Sequence, residues 1–171
     1  MIRLATYSDI PEMMNIVHQA QTSLKLLGVN QWQNDYPSQE IVSEDIANKC
    51  AYVLISNKQV IAIMTIICNY EPTYNTIYNG KWLSTNEFVV VHRMAVHNCY
   101  RKKGIASLLL KKVEEIAIEK NIASFKIDTH KDNIPMRQML QKNNFVYCGY
   151  IILSDGEQRL AYEKLVDKVD K

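Results

Sequence analysis

The sequence has little of what divides or specialises a chain. Its 171 residues include only five glycines and four prolines, and no stretch rich in them forms a linker. There is no internal repeat and no low-complexity tract, which leaves a single domain over residues 1–171 as the expectation. Cysteines are few and unpaired in pattern. The four, at positions 50, 68, 99 and 148, contain no C-x-x-C spacing, and no histidine pair completes a zinc site. Four reduced thiols and no bound metal are expected, with Cys99 placed where it could be exposed. Long apolar runs are missing as well. Stretches such as Val60–Cys68 fall far short of a membrane span, and Met1-Ile2-Arg3-Leu4 opens no apolar leader. No membrane partner and a cytoplasmic location are the expectations. Charge of one sign is also lacking. Twenty Lys and Arg face eighteen Asp and Glu, a net +2, which does not suggest a general nucleic-acid binder, and no nucleic-acid partner is expected. Attraction for an anion must therefore be local.

What is present suits a packed core: 47 % of residues are hydrophobic and 22 % charged. Ile2–Thr6 reads as a strand. Ser8 is placed to cap a helix whose apolar positions, from Ile10 and Met13 to Leu24 and Leu27, recur at helical spacing until Gly28. Pro37-Ser38 opens a second helix over Glu40–Lys49. Strands Ala51–Ser56 and Val60–Cys68 meet through Asn57-Lys58. A long connection, residues 69–85, carries Tyr70, Tyr74, Tyr78 and Trp82. That aromatic content speaks against disorder. Asn86–Val96 is a strand, Gly104–Lys120 an amphipathic helix and Ser124–Thr129 a strand. Asp132 or Asn133 caps a last helix that Asn144 terminates. Phe145–Leu153 and Gln158–Leu165 form a hairpin around Asp155-Gly156. The order β-α-α-β-β-β-α-β-α-β-β describes a mixed α+β domain.

One segment carries chemistry. Strand Val91-His92-Arg93-Met94-Ala95-Val96 leads through His97-Asn98-Cys99-Tyr100 into Arg101-Lys102-Lys103-Gly104-Ile105-Ala106, where a helix starts. The first N–H groups of a helix lack internal partners and sit at the positive end of its dipole, so they bind phosphate. Gly104 lets a ligand approach the backbone, Ala106 keeps the next point small, and three basic residues add charge. The blander reading is a solvated basic helix start, and only the flanking strand and helix weigh against it.

With those flanks the segment resembles the acetyl-CoA-binding motif Q/R-x-x-G-x-G/A of the GNAT N-acetyltransferase superfamily. Asp128-Thr129-His130-Lys131-Asp132-Asn133 is similar to that family's next strand end, and Asn133 through Met136 to Phe145 to its N-x-x-A…G-F segment. The resemblance implies two adjacent parallel strands, Phe88–Val96 and Ser124–Thr129, that splay to admit a pantetheine arm. Backbone groups of Met94 and Val96 would pair with that arm. N–H groups of Arg101, Lys102, Lys103, Gly104, Ile105 and Ala106 would hold the pyrophosphate. Asn133 would contact the pantetheine and Met136 would pack near the cofactor. Two positions depart from the pattern. Leu140 stands where a tyrosine often serves as acid, and Asn144 where a final glycine stands.

Transfer to an amine needs a base, acting directly or through water. His92 shares strand parity with Met94 and Val96, and imidazoles titrate near neutrality. It is read either as that base or as a structural histidine, a bulge being what would upset the parity. Glu87, at the start of the same strand, is the alternative. Trp32 and Tyr36, between the first two helices, and Tyr74, Tyr78 and Trp82, in the long connection, are read as an aromatic acceptor wall or as packing that holds two loops down. The expected activity is transfer of an acetyl group from acetyl-CoA to a primary amine of a small molecule or peptide. The alternative is an acyl-CoA-binding module with little turnover. The last hairpin offers an edge through which two copies could pair as a homodimer.

Overall fold

The computed structural model describes residues 1–166. Among them, β1 (Ile2–Leu4), α1 (Ile10–Leu26), α2 (Gln39–Ala47), β2 (Ala51–Ser56), β3 (Gln59–Cys68), β4 (Phe88–Val96), α3 (Ile105–Glu119), β5 (Ser124–Thr129), α4 (Ile134–Lys142), β6 (Val146–Ile152) and β7 (Gln158–Leu165) follow in the anticipated order. The strands hydrogen-bond in the order β1-β2-β3-β4-β5-β7-β6, with β4 and β5 parallel. This is the mixed α+β fold read from the sequence. No helix among the described residues is long and apolar enough to cross a membrane.

Two compact units are distinguishable: Met1–Ile66 with His92–Leu110, and Ile67–Val91 with the described residues from Lys111 onward. In the first, β1 pairs antiparallel with β2, and β2 with β3. The β2–β3 turn holds Asn57 and Lys58 at φ 49° and 63°. Positive φ at both central residues matches the right-handed twist of the strands it joins. Helix α1 begins differently from the expectation. A 3-10 turn over Tyr7–Asp9 precedes it, and the reciprocal bonds there run between Thr6 and Asp9, with the Ser8 hydroxyl bonded to that of Thr6. Asp9 is favoured because Arg3 also reaches its carboxylate through two bonds of 2.7 and 2.8 Å. Helix α1 then buries Met13, Ile16, Val17 and Ala20 against Val42, Ile46, Val53 and Ile63. Each such aliphatic side chain removed from water contributes about 1.5–3 kcal/mol before entropy is counted. The helix ends where expected, at Gly28 with φ 70°.

In the second unit the parallel ladder pairs Phe88–Val90 with Ser124–Lys126, and β7 lies antiparallel between β5 and β6. Strand β6 ends the strand order, with Val146 and Tyr147 exposed. The connection 69–85 is ordered by local bonds: a 3-10 turn over Pro72–Asn75, and a bridge in which Tyr78 and Tyr150 exchange N–H bonds of 2.8 and 3.0 Å. The approach is close enough that a Cβ on Gly80 would overlap the Cys148 carbonyl. Aromatic contacts in this unit include Phe125 edge-on to Phe145 and Tyr74 beside Trp82 and Phe88. Lys126 is buried at 3 % exposure, with its ammonium 4.5 Å above Trp82 and 4.4 Å above Phe88. Its cross-strand partner Glu163 is buried too, and accepts from the Ser124 hydroxyl and the N–H groups of Leu83 and Ser84. Burial lowers the Lys126 pKa, and Glu163 opposes that shift.

Candidate functional site

The basic segment that follows β4 lies in the first unit. Strand β4 gives way to a 3-10 turn over Asn98–Tyr100, and α3 starts at Ile105. Lys102 and Gly104 both take positive φ, 59° and 78°. The first helical bond runs from Leu108 N–H to the Gly104 carbonyl, at 3.1 Å. The N–H groups of Ile105 and Ala106 thus belong to the turn that has no carbonyl behind it. Arg101, Lys102, Lys103 and Gly104 are all exposed. A Cβ built on Gly104 meets nothing within 4 Å, so open space lies in front of that backbone. Free N–H groups at a helix start are in general suited to an anion. The two lysines present their charge to solvent, Lys103 lying 5.2 Å from the Tyr100 ring. Arg101 does not: its Nη1 donates to Ser23 Oγ on α1, at 2.8 Å.

Strand β4 is irregular at one residue. Arg93 sits at φ 50°, a region that costs a non-glycine residue roughly 1–3 kcal/mol. The alternation that would put His92 on the face of Met94 and Val96 is interrupted there. What holds Arg93 is a buried ion pair. Its Nε and Nη2 donate to the two carboxylate oxygens of Asp45 at 2.6 and 2.7 Å, and Nη1 to the Tyr36 hydroxyl at 3.1 Å. The Thr65 hydroxyl donates to the same carboxylate at 2.8 Å. Beside them lies a cavity of about 10 Å³, room for one water, lined in part by Pro37, Val42 and Met64. The neighbouring Cys50 thiol is pushed up to about 11 by burial first and by the Asp45 charge second.

This cluster escaped the sequence reading, though two signals were there. Arg93 is a charge inside the run Val89–Val96, and Asp45 falls on the apolar spacing of Val42 and Ile46. His92, Met94 and Val96 are half-buried. Of the aromatic residues between the first helices, Trp32 is half-buried and packs against the core, whereas Tyr36 is 41 % exposed.

The remaining candidates fall in the second unit. Glu87 is exposed. Tyr74 is fully buried, donates its hydroxyl to Asp128 at 2.7 Å, and has its pKa raised by burial and by that carboxylate. It packs the interior and presents no open face. Trp82 donates Nε1–H to the Tyr74 carbonyl at 2.9 Å, and the cation over its ring is the chain's own Lys126. Tyr78 is 40 % exposed and stacks on Tyr150 at 5.3 Å. Asn133 caps α4, its Oδ1 accepting from Met136 N–H at 3.3 Å, and Met136 is half-buried. Leu140 is wholly buried and supplies no hydroxyl. All four cysteines are free, and among the described residues no cluster of three or more His, Cys, Asp or Glu is placed to hold a metal.

Comparison with known protein families matches residues 12–145 to the Acetyltransferase (GNAT) family. Among solved structures, an acetyltransferase of the GNAT family from Streptococcus agalactiae 2603 is 33 % identical, with a TM-score of 0.89 over 98 % of this chain and 96 % of that one. One from Listeria monocytogenes 4b F2365 shares the fold at 16 % identity, with a TM-score of 0.74 over 96 % and 94 % of the two chains. The ribosomal-protein-S18-alanine N-acetyltransferase from Escherichia coli shares it at 12 % identity, with a TM-score of 0.66 over 100 % and 96 %. No match was found among curated proteins. The basic turn at the start of α3, the fold around it and these similarities agree: the chain belongs to the GNAT acetyltransferase family.

Proposed function

We propose that the protein transfers an acetyl group from acetyl-CoA to a primary amine of a small molecule or a peptide. The observation that carries this reading is the turn that leads into α3: exposed and basic over Arg101–Gly104, and open in front of Gly104. Backbone N–H groups of this turn take the pyrophosphate, with Lys102 and Lys103 screening its charge. Backbone groups of Met94 and Val96 pair with the pantetheine arm. The family resemblance assigns Asn133 and Met136 to the same cofactor.

The amine must be neutral to react. Its nitrogen bonds to the thioester carbonyl carbon, the C–S bond breaks, and the sulfur leaves as thiolate. One proton passes from the amine to a base, for which His92 is the first choice and Glu87 the second. Tyr36, Trp32 and Tyr78 are the candidates for contact with the acceptor. Tyr36 and Tyr78 are the most exposed of these.

A second reading, acyl-CoA binding with little turnover, is favoured by the burial of apolar Leu140 at the position of the family's tyrosine. Titration calorimetry with CoA tests the shared premise, and a library of amines followed by thiol release tests transfer. Binding with release identifies the enzyme, binding without release the second reading, and absence of binding removes both.

A further inference from the structure

Helix α1 reaches the turn ahead of α3 through two side chains one helical turn apart. Gln19 Oε1 accepts the Asn98 N–H at 2.8 Å, and Ser23 Oγ accepts from Arg101 Nη1 at 2.8 Å. The serine hydroxyl donates to the Gln19 carbonyl at 2.8 Å, which turns its lone pairs toward the guanidinium. Residues four apart share a helix flank, so both bonds leave α1 on one side of the stripe formed by Met13, Ile16, Val17 and Ala20. Arg101 also donates from Nε to the Val96 carbonyl at 3.4 Å. Its side chain thus ties the end of β4 to α1. An arginine held this way braces the turn while Lys102, Lys103 and Gly104 stand clear of it.

We propose that Gln19 and Ser23 are positioning residues for acyl-CoA. Acting through Asn98 and Arg101, they fix the turn whose N–H groups grip the pyrophosphate, an inference that rests on the function proposed above. Within itself the turn is bonded from Tyr100 N–H to the His97 carbonyl at 2.8 Å and from Arg101 N–H to the Asn98 carbonyl at 3.3 Å. Ser23 is only half-buried and outside the core stripe, so its hydroxyl affects the turn without holding the fold.

The test compares Ser23→Ala, Ser23→Thr, Arg101→Ala and the double variant Ser23→Ala/Arg101→Ala, by calorimetry with CoA and by thermal melting. Ser23→Ala should weaken CoA about five- to tenfold, the net scale of one ordinary intramolecular hydrogen bond, with an unchanged melting temperature. It should raise KM for acetyl-CoA, leave kcat alone, and leave binding of acetyl-pantetheine, which lacks the pyrophosphate, as it was. Ser23→Thr keeps the hydroxyl and should restore CoA affinity. The double variant should bind no worse than Arg101→Ala, because serine acts through arginine. Unchanged CoA affinity in Ser23→Ala, or additive losses in the double variant, would overturn the inference while leaving the cofactor reading intact. Failure of the unaltered protein to bind CoA overturns that reading and this inference together.

Discussion

Replacing Asp45 with asparagine keeps the shape of the side chain and removes its charge. The Arg93 guanidinium, its side chain 14 % exposed, would then lie opposite a neutral amide in place of a carboxylate that is 11 % exposed. Arginine stays charged, so the variant leaves a desolvated cation unpaired, and Thr65 must share the one remaining carbonyl oxygen. Breaking a buried pair from one side costs about 3–5 kcal/mol. In a chain of this length each kcal/mol moves Tm by roughly 2–4 °C, so Asp45→Asn should melt on the order of 10 °C lower. Urea unfolding followed by circular dichroism gives the free energy directly. The double variant Asp45→Leu/Arg93→Met separates charge from packing: it removes both ions and should recover most of the loss. A Tm within about 2 °C of the parent for Asp45→Asn would refute the reasoning, since the scale of a buried pair requires far more.

Three other outcomes are expected. Gly104→Asn retains a residue that tolerates positive φ and places its side chain in the open space before the turn; CoA affinity should fall at least tenfold with little change in Tm, as calorimetry and melting would show. His92→Gln should lower kcat by about a hundredfold or more and alter the acidic limb of the pH–rate profile without weakening acetyl-CoA binding. An unaltered acidic limb moves the role to Glu87 or to water. Asp9 is held down to about 2, from 3.8, chiefly by Arg3 and then by Thr6. Its depressed pKa stabilises the fold by about 2 kcal/mol above pH 4, less what solvent screens at Arg3, and the contribution disappears as pH falls through 2. The deficit of Asp9→Asn should accordingly be full at pH 7 and vanish near pH 2, which denaturant titrations at several pH values would reveal.

The parts of the fold visible in the sequence were those set by contacts within a few residues. Strands Ala51–Ser56 and Ser124–Thr129 have the expected bounds, and Asn57, Lys58, Gly28 and Asn144 all take the positive φ that their turn positions implied. The basic turn was legible for the same reason, since a strand, a loop and a helix start are adjacent in the chain. What escaped depends on distant partners. The irregularity at Arg93 is secured by a carboxylate 48 residues away, and no local period announces it. Tyr74 reads from the sequence as acceptor wall or loop packing, and only the Asp128 carboxylate 54 residues away, which its hydroxyl reaches, decides for packing. Trp82 likewise carries an ammonium, but from Lys126 and not from an acceptor, because cross-strand pairing with Glu163 places that lysine in the interior.

The chain has only two tryptophans, and each compact unit holds one: Trp32 lies in the first and Trp82 in the second. Nature has thereby supplied one fluorophore per unit. Trp32→Phe leaves emission from the second unit alone, and Trp82→Phe from the first. Because β4 changes unit between Val91 and His92, and α3 between Leu110 and Lys111, neither unit can come apart without disturbing an element of the other. The two emission curves in denaturant should therefore superimpose. Curves that separate would mark a half-open species in which one indole has reached solvent and the other has not.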